Sequence, residues 1–173
     1  SAIREILKLR DDKKIKGIYG TISELGKTDM KYAVALEVSA GSRANYVVVD
    51  NDEVATKCIN FLKNGRIGRA SFLPLNKIKQ NNFKIPKDDG VIGSAIDLMV
   101  FDEKFRSAFE YVFGNVAIVK NLDIAKELDL PQIRKVTVEG DIVEPRGLIV
   151  GGHYVGRPTL AFLETEKLPQ LEE

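Results

Sequence analysis

The tripeptide Gly26-Lys27-Thr28 is the first place where this sequence could do chemistry, because Gly-Lys-Thr closes the phosphate-binding loop of many nucleotide-binding proteins. The complete loop needs a glycine five positions earlier, at residue 21, which is threonine. Gly20 stands one position too early, and no glycine-rich loop leads into a clear helix. We therefore predict a turn at 26–28 and keep a small α/β nucleotide-binding or enzymatic domain as the alternative function.

Side chains that could hold a metal ion or act as nucleophiles are scarce. His153 is the only histidine and Cys58 the only cysteine, which excludes the usual zinc ligand sets and an internal disulfide. Cys58 falls on the apolar face of a predicted helix, so we predict a core position for it. His153 follows two glycines and could belong to a site, although lone histidines usually lie on the surface. We expect no metal, no cofactor and no catalytic residue.

Composition and charge are those of an ordinary globular domain. Hydrophobic residues make up 44% and charged residues 29% of the 173 residues, and the net charge is +1, so any charge argument must be local. No run of eighteen apolar residues occurs, and the charged N-terminus is unlike a signal peptide. A single cysteine fits a reducing compartment, so we expect a cytoplasmic protein.

A local excess of positive charge lies between residues 60 and 90. Seven lysines and arginines stand against two aspartates there, a net charge of +5. A solvated loop explains such a segment, and a phosphate-contacting surface is the functional alternative. Phe83 is a single aromatic residue and does not by itself make a stacking platform. The candidate phosphate-contacting residues are Lys63, Arg66, Arg69, Lys77, Lys79 and Lys84.

The stretch 140–152 combines strand-like apolar residues with four glycines, which strands rarely tolerate. Either the backbone adopts positive φ at these positions, or another chain or ligand approaches very closely. Both explanations remain open at this point. The glycines are Gly140, Gly147, Gly151 and Gly152.

Apolar periodicity predicts the elements that must position these residues. The helix predicted at 2–14 is either a surface helix of its own domain or the end of a coiled coil. A further helix is predicted after residue 156. Pro74 restricts the strand predicted at 68–75 to an edge or an end of a sheet. The other predicted elements are strands at 15–23, 45–49 and 68–75, helices at 30–38 and 53–63, and a turn with a helix N-cap at 50–52.

The second part of the sequence repeats the first. Residues 45–55 and 115–125 align at an offset of 70, with Asn, Val, Asn and Ala identical at 45/115, 49/119, 51/121 and 55/125. Residues 32–37 resemble 105–110, and 69–73 and 134–138 are both strand-like. We infer two related α/β halves that are joined through the polar segment 76–90 and pack on each other, since each is too small to be stable alone.

Together, these motifs resemble the hinge domain of SMC (structural maintenance of chromosomes) proteins. The four glycines fit that family's Gly-x6-Gly-x3-Gly-Gly pattern, and residues 68–75 are similar to its Gly-Arg-Ala-Thr-Phe-Leu-Pro-Leu segment. Residues 44–49 and the pair Ala95-x-Asp97 also fall where the family has similar residues. The resemblance covers residues 15–156.

The resemblance implies a mixed α/β fold, with two pseudo-repeated subdomains and terminal coiled-coil helix stubs. In this family the hinge stands at the far end of a long antiparallel coiled coil, away from the ATPase head. The implied division is 1–14 for the N-terminal stub, 15–80 for the first subdomain, 81–90 for the linker, 91–156 for the second subdomain and 157–173 for the C-terminal stub.

The resemblance also implies a function. Two hinges form a toroidal homodimer whose sheets continue across each interface, where Gly140, Gly147, Gly151 and Gly152 would lie. Some members bind DNA, preferentially single-stranded. The full-length protein would be a chromosome condensation and segregation ATPase at the nucleoid. ATP binding by the head and contacts with other condensin subunits would belong only to that protein. The resemblance therefore implies that the hinge is not an enzyme.

The compact loops favour a bacterial or archaeal member of the family. In some hinges the residues that bind DNA lie near the coiled-coil junction, so basic residues of the arms are a second choice for DNA contact. They are Arg10, Lys13, Lys14, Lys16 and Arg157.

Overall fold

Helices and strands are interspersed in the computed structural model, which describes residues 1–79 and 83–156. Short 3-10 helices cover Gly41–Asn45, Ile96–Leu98 and Glu103–Phe105. The α-helices are α1 (Ala2–Asp11), α2 (Ile22–Leu25), α3 (Met30–Ala40), α4 (Asp52–Gly65), α5 (Arg106–Phe113) and α6 (Leu122–Glu127). The strands are β1 (Ile18–Thr21), β2 (Lys27–Thr28), β3 (Val47–Val49), β4 (Phe72–Pro74), β5 (Val91–Ser94), β6 (Met99–Val100), β7 (Val116–Val119), β8 (Arg134–Thr137), β9 (Ile142–Val143) and β10 (Ile149–Val150).

The first half is a three-stranded sheet in the order β1-β3-β4. The central strand β3 is antiparallel to β1 and parallel to β4, and α4 makes the crossover between the parallel pair. All three valines of β3 are fully buried. Ile6 of α1 and Cys58 of α4 are fully buried in one apolar cluster with Val47 and Val49, so both helices contribute to the core of this half.

The second half repeats this arrangement and extends it. Its sheet has the order β10-β9-β8-β7-β5, with β7 antiparallel to β5 and parallel to β8. Helix α6 makes the crossover that α4 makes in the first half. The two-residue strands β9 and β10 add an antiparallel hairpin, which leaves β10 at the outer edge of the sheet.

The structural repeat includes details that the offset of 70 does not reveal. Gly17 and Gly90 both have positive φ, 95° and 91°, and each carbonyl accepts a 2.8 Å hydrogen bond from the residue after the central strand. Strands β1 and β5 each contain a register irregularity. The sequence signal that was missed is the similarity of Ile18–Thr21 to Val91–Ser94 at an offset of 73.

Asn51 and Asn121 start the helices that follow the two central strands. Each Oδ1 accepts a 2.9 Å hydrogen bond from the backbone N–H three residues later, and the φ angles are −155° and −157°. Since the first few N–H groups of a helix have no backbone partner, an asparagine cap satisfies one of them. The cap predicted within 50–52 is confirmed as Asn51.

The two halves interlock through short strands and a shared core. Strand β2 of the first half pairs with β6 of the second, and Thr28 Oγ1 donates a 2.6 Å hydrogen bond to the Leu98 carbonyl. Leu36 of α3 and Phe109 of α5 are fully buried in one apolar cluster. The prediction that the halves pack on each other is therefore confirmed.

Most predicted elements are present. The mixed α/β fold is confirmed, as are the helices predicted at 30–38 and 53–63 and the buried strand at 45–49, with ends that differ by up to two residues. Strand β4 ends at Pro74 and lies at a sheet edge, as the proline predicts.

The predicted turn at 26–28 is wrong, because Lys27 and Thr28 form β2. Gly26 is needed for packing, since a Cβ at this position would overlap the ring of Phe109. Helix α4 extends beyond the end predicted at residue 63. The helix continues to Gly65 and is closed by Arg66, which has left-handed backbone angles (φ 52°).

The strands predicted at 15–23 and 68–75 are shorter than expected. Strand β1 stops at Thr21, whose side chain and Glu24 form a capping box that starts α2. Of residues 68–75 only Phe72–Pro74 form a strand. Equivalent pairs in the two sheets, Val47–Phe72 and Ala117–Lys135, show that residue 72 corresponds to residue 135.

Helix α1 begins at Ala2, as predicted, but ends at Asp11 and not at residue 14. Ala2 and Ile6 are buried against the first half, whereas Ile3 and Leu7 are partly exposed on an adjacent face. A coiled-coil stub remains a prediction for this helix. The helix predicted after residue 156 lies outside the described residues.

Replacing Asn51 with alanine should lower the free energy of unfolding by about 1 kcal/mol, because the Val54 N–H loses its cap. Chemical denaturation measures this change. Asn60→Ala is the matched control, since Asn60 is exposed within α4 and alanine is the better helix former. Equal effects of the two substitutions would contradict the capping role.

Candidate dimer interface

Strand β10 presents apolar side chains at an open sheet edge. Leu148, Ile149 and Val150 are 63%, 51% and 48% exposed, and Val155 is 85% exposed. In the described chain β10 pairs with β9 on one side. An edge strand with exposed apolar residues invites pairing with another chain unless something covers it. This edge therefore has the properties of a strand-addition site.

The glycines around β10 are required for two different reasons. Gly140, Gly147 and Gly152 have φ of 97°, 103° and 137°, which L-residues with side chains rarely adopt. Gly151 lies outside this region, but a Cβ there would overlap the Asp141 carboxylate. Nothing within 4 Å would meet a Cβ at Gly147 or Gly152. The positive-φ explanation therefore applies to three of the glycines, whereas Gly151 is fitted against a side chain of its own chain.

The turn between β9 and β10 is held by its own hydrogen bonds. The Glu144 N–H donates to the Leu148 carbonyl at 2.8 Å, and the Gly147 N–H donates to the Glu144 carbonyl at 3.0 Å. After β10, the Gly152 N–H donates to Asp141 Oδ1 at 3.1 Å. These contacts explain why a glycine-rich segment keeps a defined shape.

Helix α3 of the first half supports this hairpin. A Cβ on Gly140 would come 3.1 Å from Val34 Cγ1, so the turn before β9 lies directly against the helix. Arg134 of β8 donates from Nη1 to the Ser39 carbonyl and from Nε to Glu144 Oε1, both at 2.8 Å. The open edge is thus built on residues of both halves.

Strand β4 provides a second open edge. A groove of about 340 Å³ runs beside it and is lined in part by Phe72, Pro74 and Ile78. Pro74 has no N–H to offer, and its carbonyl already accepts hydrogen bonds from the N–H groups of Lys77 and Ile78. Pairing at this edge would therefore be short and would depend on apolar contact.

The outer edges of β1 and β5 face other parts of the same chain. Arg10 of α1 donates from Nη1 to the Tyr19 carbonyl of β1 at 3.1 Å. Strand β5 borders a cavity of about 640 Å³ that is also lined by Ile85, Pro86 and Asp88. The edge of β1 is thus engaged by α1, and the edge of β5 adjoins the segment that contains Ile85 and Pro86.

The six candidate phosphate-contacting residues are all exposed, but they do not form one surface. Lys63 and Arg66 lie at the C-terminal end of α4, and Arg69 follows. At the other end of α4, the Asn76 Nδ2 donates to Asp52 Oδ1 at 2.8 Å, which places the next residue, Lys77, there. A 14-residue helix is about 20 Å long. The candidates therefore form two separate groups.

The second group, formed by Lys77, Lys79 and Lys84, lies beside aromatic side chains. Lys79, Arg43, Phe83 and Tyr111 line one cavity of about 230 Å³, to which both halves contribute. Tyr111 is 49% exposed. The sequence could not indicate this neighbourhood, because Tyr111 and Lys79 come from different halves.

Among the second-choice residues, Arg10 is already engaged. Its guanidinium contacts Asp11 at 2.9 Å, Glu24 at 3.3 Å and the Tyr19 carbonyl. The three nearby lysines are exposed. Arg157 lies outside the described residues. The lysines are Lys13, Lys14 and Lys16.

The geometry around Gly26 argues against a phosphate site. Thr28 is almost fully buried, and its hydroxyl donates a hydrogen bond to the Leu98 carbonyl. The helix that follows is capped by the Asp29 carboxylate, which accepts from the Lys31 N–H. A carboxylate at that end would repel a phosphate.

The cysteine and the histidine differ in their exposure to solvent. Cys58 is fully buried, as predicted, and desolvation raises its pKa to about 11. His153 is exposed. Within residues 1–79 and 83–156, no group of three His, Cys, Asp or Glu side chains could hold a metal ion. In the same ranges no helix has the length and hydrophobicity needed to cross a membrane.

Comparison with known proteins decides the family. The family model described as the SMC proteins Flexible Hinge Domain matches residues 15–129, which is more than half of the chain. This chain belongs to the SMC hinge family. The resemblance to the SMC hinge family is thereby confirmed.

Relatives of this hinge domain are found in archaea and bacteria. The chromosome partition protein Smc of Methanocaldococcus jannaschii is 47% identical over 155 residues, covering 88% of this chain and 13% of that protein. The Smc of Pyrococcus furiosus is 42% identical, covering 83% of this chain and 12% of that protein. The hinge therefore spans only about an eighth of the length of these relatives.

Solved hinge structures have the same fold. The Pyrococcus furiosus SMC hinge domain superposes with a TM-score of 0.76 at 38% identity, covering 96% of this chain and 86% of that one. The hinge of Geobacillus stearothermophilus, an asymmetric dimer, gives a TM-score of 0.83 at 33% identity, covering 90% of this chain and 66% of that one.

The raised pKa of Cys58 predicts an inert thiol. At pH 8 a thiol-specific reagent should label the folded hinge very slowly and the denatured chain rapidly, because the thiolate forms poorly in the core. Stability linked to this group is present below about pH 9 and is lost as pH rises towards 11, since the folded state favours the protonated thiol. Rapid labelling without denaturant would contradict the buried position.

Proposed function

We propose that this chain is the homodimerisation hinge of an SMC protein that acts in chromosome condensation and segregation. The observation that carries the proposal is the open, apolar β10 edge, with Leu148, Ile149 and Val150 about half exposed or more. The names of the Smc relatives and the dimeric Geobacillus stearothermophilus hinge support it. ATP turnover is assigned to a head outside this chain.

In the proposed dimer, β10 of one copy adds to the β4 edge of the other. Each copy carries both edges, so a two-fold axis makes the contact twice and closes a ring. Strand addition satisfies backbone groups that are otherwise exposed to water, and the apolar side chains of β10 enter the groove beside β4.

The four glycines take different parts in this proposed interface. Gly147 and Gly152 have free space on their Cβ side, which lets a partner backbone approach closely. Gly140 and Gly151 act inside the chain, by fitting the hairpin against α3 and against Asp141. All four remain proposed interface residues, two by contact and two by shaping the edge.

The Ile149→Asp variant should shift the hinge from dimer to monomer in sedimentation equilibrium. A carboxylate on the edge strand would have to be desolvated when the partner strand pairs with it. This variant is sharper than bulky substitution of the glycines, because Gly147 and Gly152 need positive φ in the monomer as well.

The matched control is Val100→Asp, at a 59% exposed valine of the two-stranded β2-β6 sheet. This variant should remain dimeric. An unchanged mass for Ile149→Asp, or monomers for both variants, would argue against the β10 interface.

We propose DNA binding as an accessory function. Of the two basic groups, the one formed by Lys77, Lys79 and Lys84 is favoured, because Lys79 shares a cavity with Tyr111 and Phe83. Bases of a single strand stack on aromatic rings while lysines contact phosphates. The group at the end of α4 has charge without this aromatic neighbourhood.

Reversing Lys77, Lys79 and Lys84 to glutamate should weaken binding of a single-stranded oligonucleotide. The slope of log affinity against log salt should fall by about 2 for three lost contacts. Fluorescence anisotropy across a salt series measures both quantities, on a variant that sedimentation has shown to remain dimeric, because Lys77 and Lys79 also line the groove beside β4. Reversing the other group is the matched control and should have a smaller effect. The control residues are Lys63, Arg66 and Arg69.

Unchanged binding in the first variant would move the site to the arm lysines. Loss of binding in both variants to the same degree would indicate a non-specific effect of charge. We further propose the division of the chain into 1–14, 15–80, 81–90, 91–156 and 157–173, and a place for the parent protein in the cytoplasm at the nucleoid.

A further inference from the structure

Tyr154 ties the end of the glycine stretch to helix α3. Its hydroxyl donates a 2.6 Å hydrogen bond to Glu37 Oε2, across 117 positions of sequence. This hydrogen bond, aided by burial, raises the pKa of Tyr154 to about 12, so the phenol stays protonated as the donor at neutral pH. The contact joins the chain just after β10 to the first half.

The opposite side of the hairpin is held by the same helix. Gly140 lies against Val34 and Val38, and Arg134 bridges the Ser39 carbonyl and Glu144. Positions 34, 37 and 38 share one face of α3, because residues three and four apart are neighbours on a helix. The hairpin is therefore clamped to α3 before β9 and after β10.

The clamp matters because the β9-β10 ladder is short. Ile149 pairs with Val143 and Val150 pairs with Ile142. A two-stranded pairing of this length is marginal by itself. The position of the β10 edge therefore depends on contacts outside the ladder, and Tyr154 makes the hydrogen bond that joins the β10 side to α3.

We propose that Tyr154 is a positioning residue, whose bond to Glu37 holds the β10 edge in the place where a second copy of this chain pairs with it. This inference rests on the proposed dimer. Helix α3 and strand β4 belong to the same half. The bond therefore fixes the position of the β10 edge relative to the β4 edge of the same copy. An edge held in place before association loses less conformational entropy on binding.

Tyr19 offers a matched comparison. Its hydroxyl donates to Asp50 Oδ1 at 3.1 Å, so Tyr19→Phe also removes one tyrosine–carboxylate hydrogen bond. Both residues lie in the first half, Tyr19 in β1 and Asp50 directly after β3. Tyr19→Phe therefore reports the general cost of losing such a bond, without a direct effect on the hairpin.

The experiment uses the whole 173-residue chain in wild-type, Tyr154→Phe and Tyr19→Phe forms. Subunit exchange between donor-labelled and acceptor-labelled dimers is followed by energy transfer. Tyr154→Phe should exchange subunits about three- to tenfold faster, the effect of losing one charge-assisted hydrogen bond that is partly exposed. Tyr19→Phe should exchange at the wild-type rate.

Backbone hydrogen–deuterium exchange in the monomeric Ile149→Asp background gives a second measurement that needs no dimer. Adding Tyr154→Phe should raise exchange at the Glu144 and Gly152 amides, whereas adding Tyr19→Phe should not. If both tyrosine variants behave alike in the two measurements, Tyr154 has only a general structural role and the inference is overturned. A monomeric wild-type chain overturns the proposed dimer itself, which sedimentation detects separately.

Discussion

Packing of α3 against α5 is the interaction on which the rest of the structure depends. Ala35 and Leu36 on one helix and Ala108 and Phe109 on the other are fully buried in a single cluster. A half of about 70 residues buries too little apolar surface to be stable alone. The shared cluster supplies the missing burial and also fixes the relation between the two sheets. Strands β4 and β10, which lie in different sheets, therefore keep a constant relative position.

That constant position is what a closed dimer requires. A ring made by the same contact twice tolerates little change in the relation between its two edges. The hairpin that carries β10 is a weak element by itself, and it gains its shape from Arg134, Tyr154 and the glycines with positive φ. In this proposal, Arg134 and Tyr154 affect how well the partner binds by fixing the shape of the edge.

Much of the fold could be predicted because the sequence repeats its local signals. Asn51 and Asn121 follow buried strands and cap helices in both halves, and the apolar stripe that carries Cys58 predicts its core position. Local signals failed where a distant residue decided the outcome. Gly26-Lys27-Thr28 resembles part of a phosphate loop, yet Gly26 is needed because a side chain there would overlap the ring of Phe109, more than 80 positions away. The correspondence between the last repeated strands, residue 72 with residue 135, is set by strand pairing and carries no local signal.

The sequence by itself determined the family, the two-fold repeat, the helix caps and the unusual glycine content of the stretch 140–152. Each of these depends on residue type and spacing along the chain. Tertiary structure decided which glycines serve φ and which serves close contact. It also decided that Lys77 stands at the opposite end of α4 from Lys63 and Arg66, and that Tyr154 reaches Glu37. These properties depend on distances between residues far apart in the chain, which only the packing of the two halves determines.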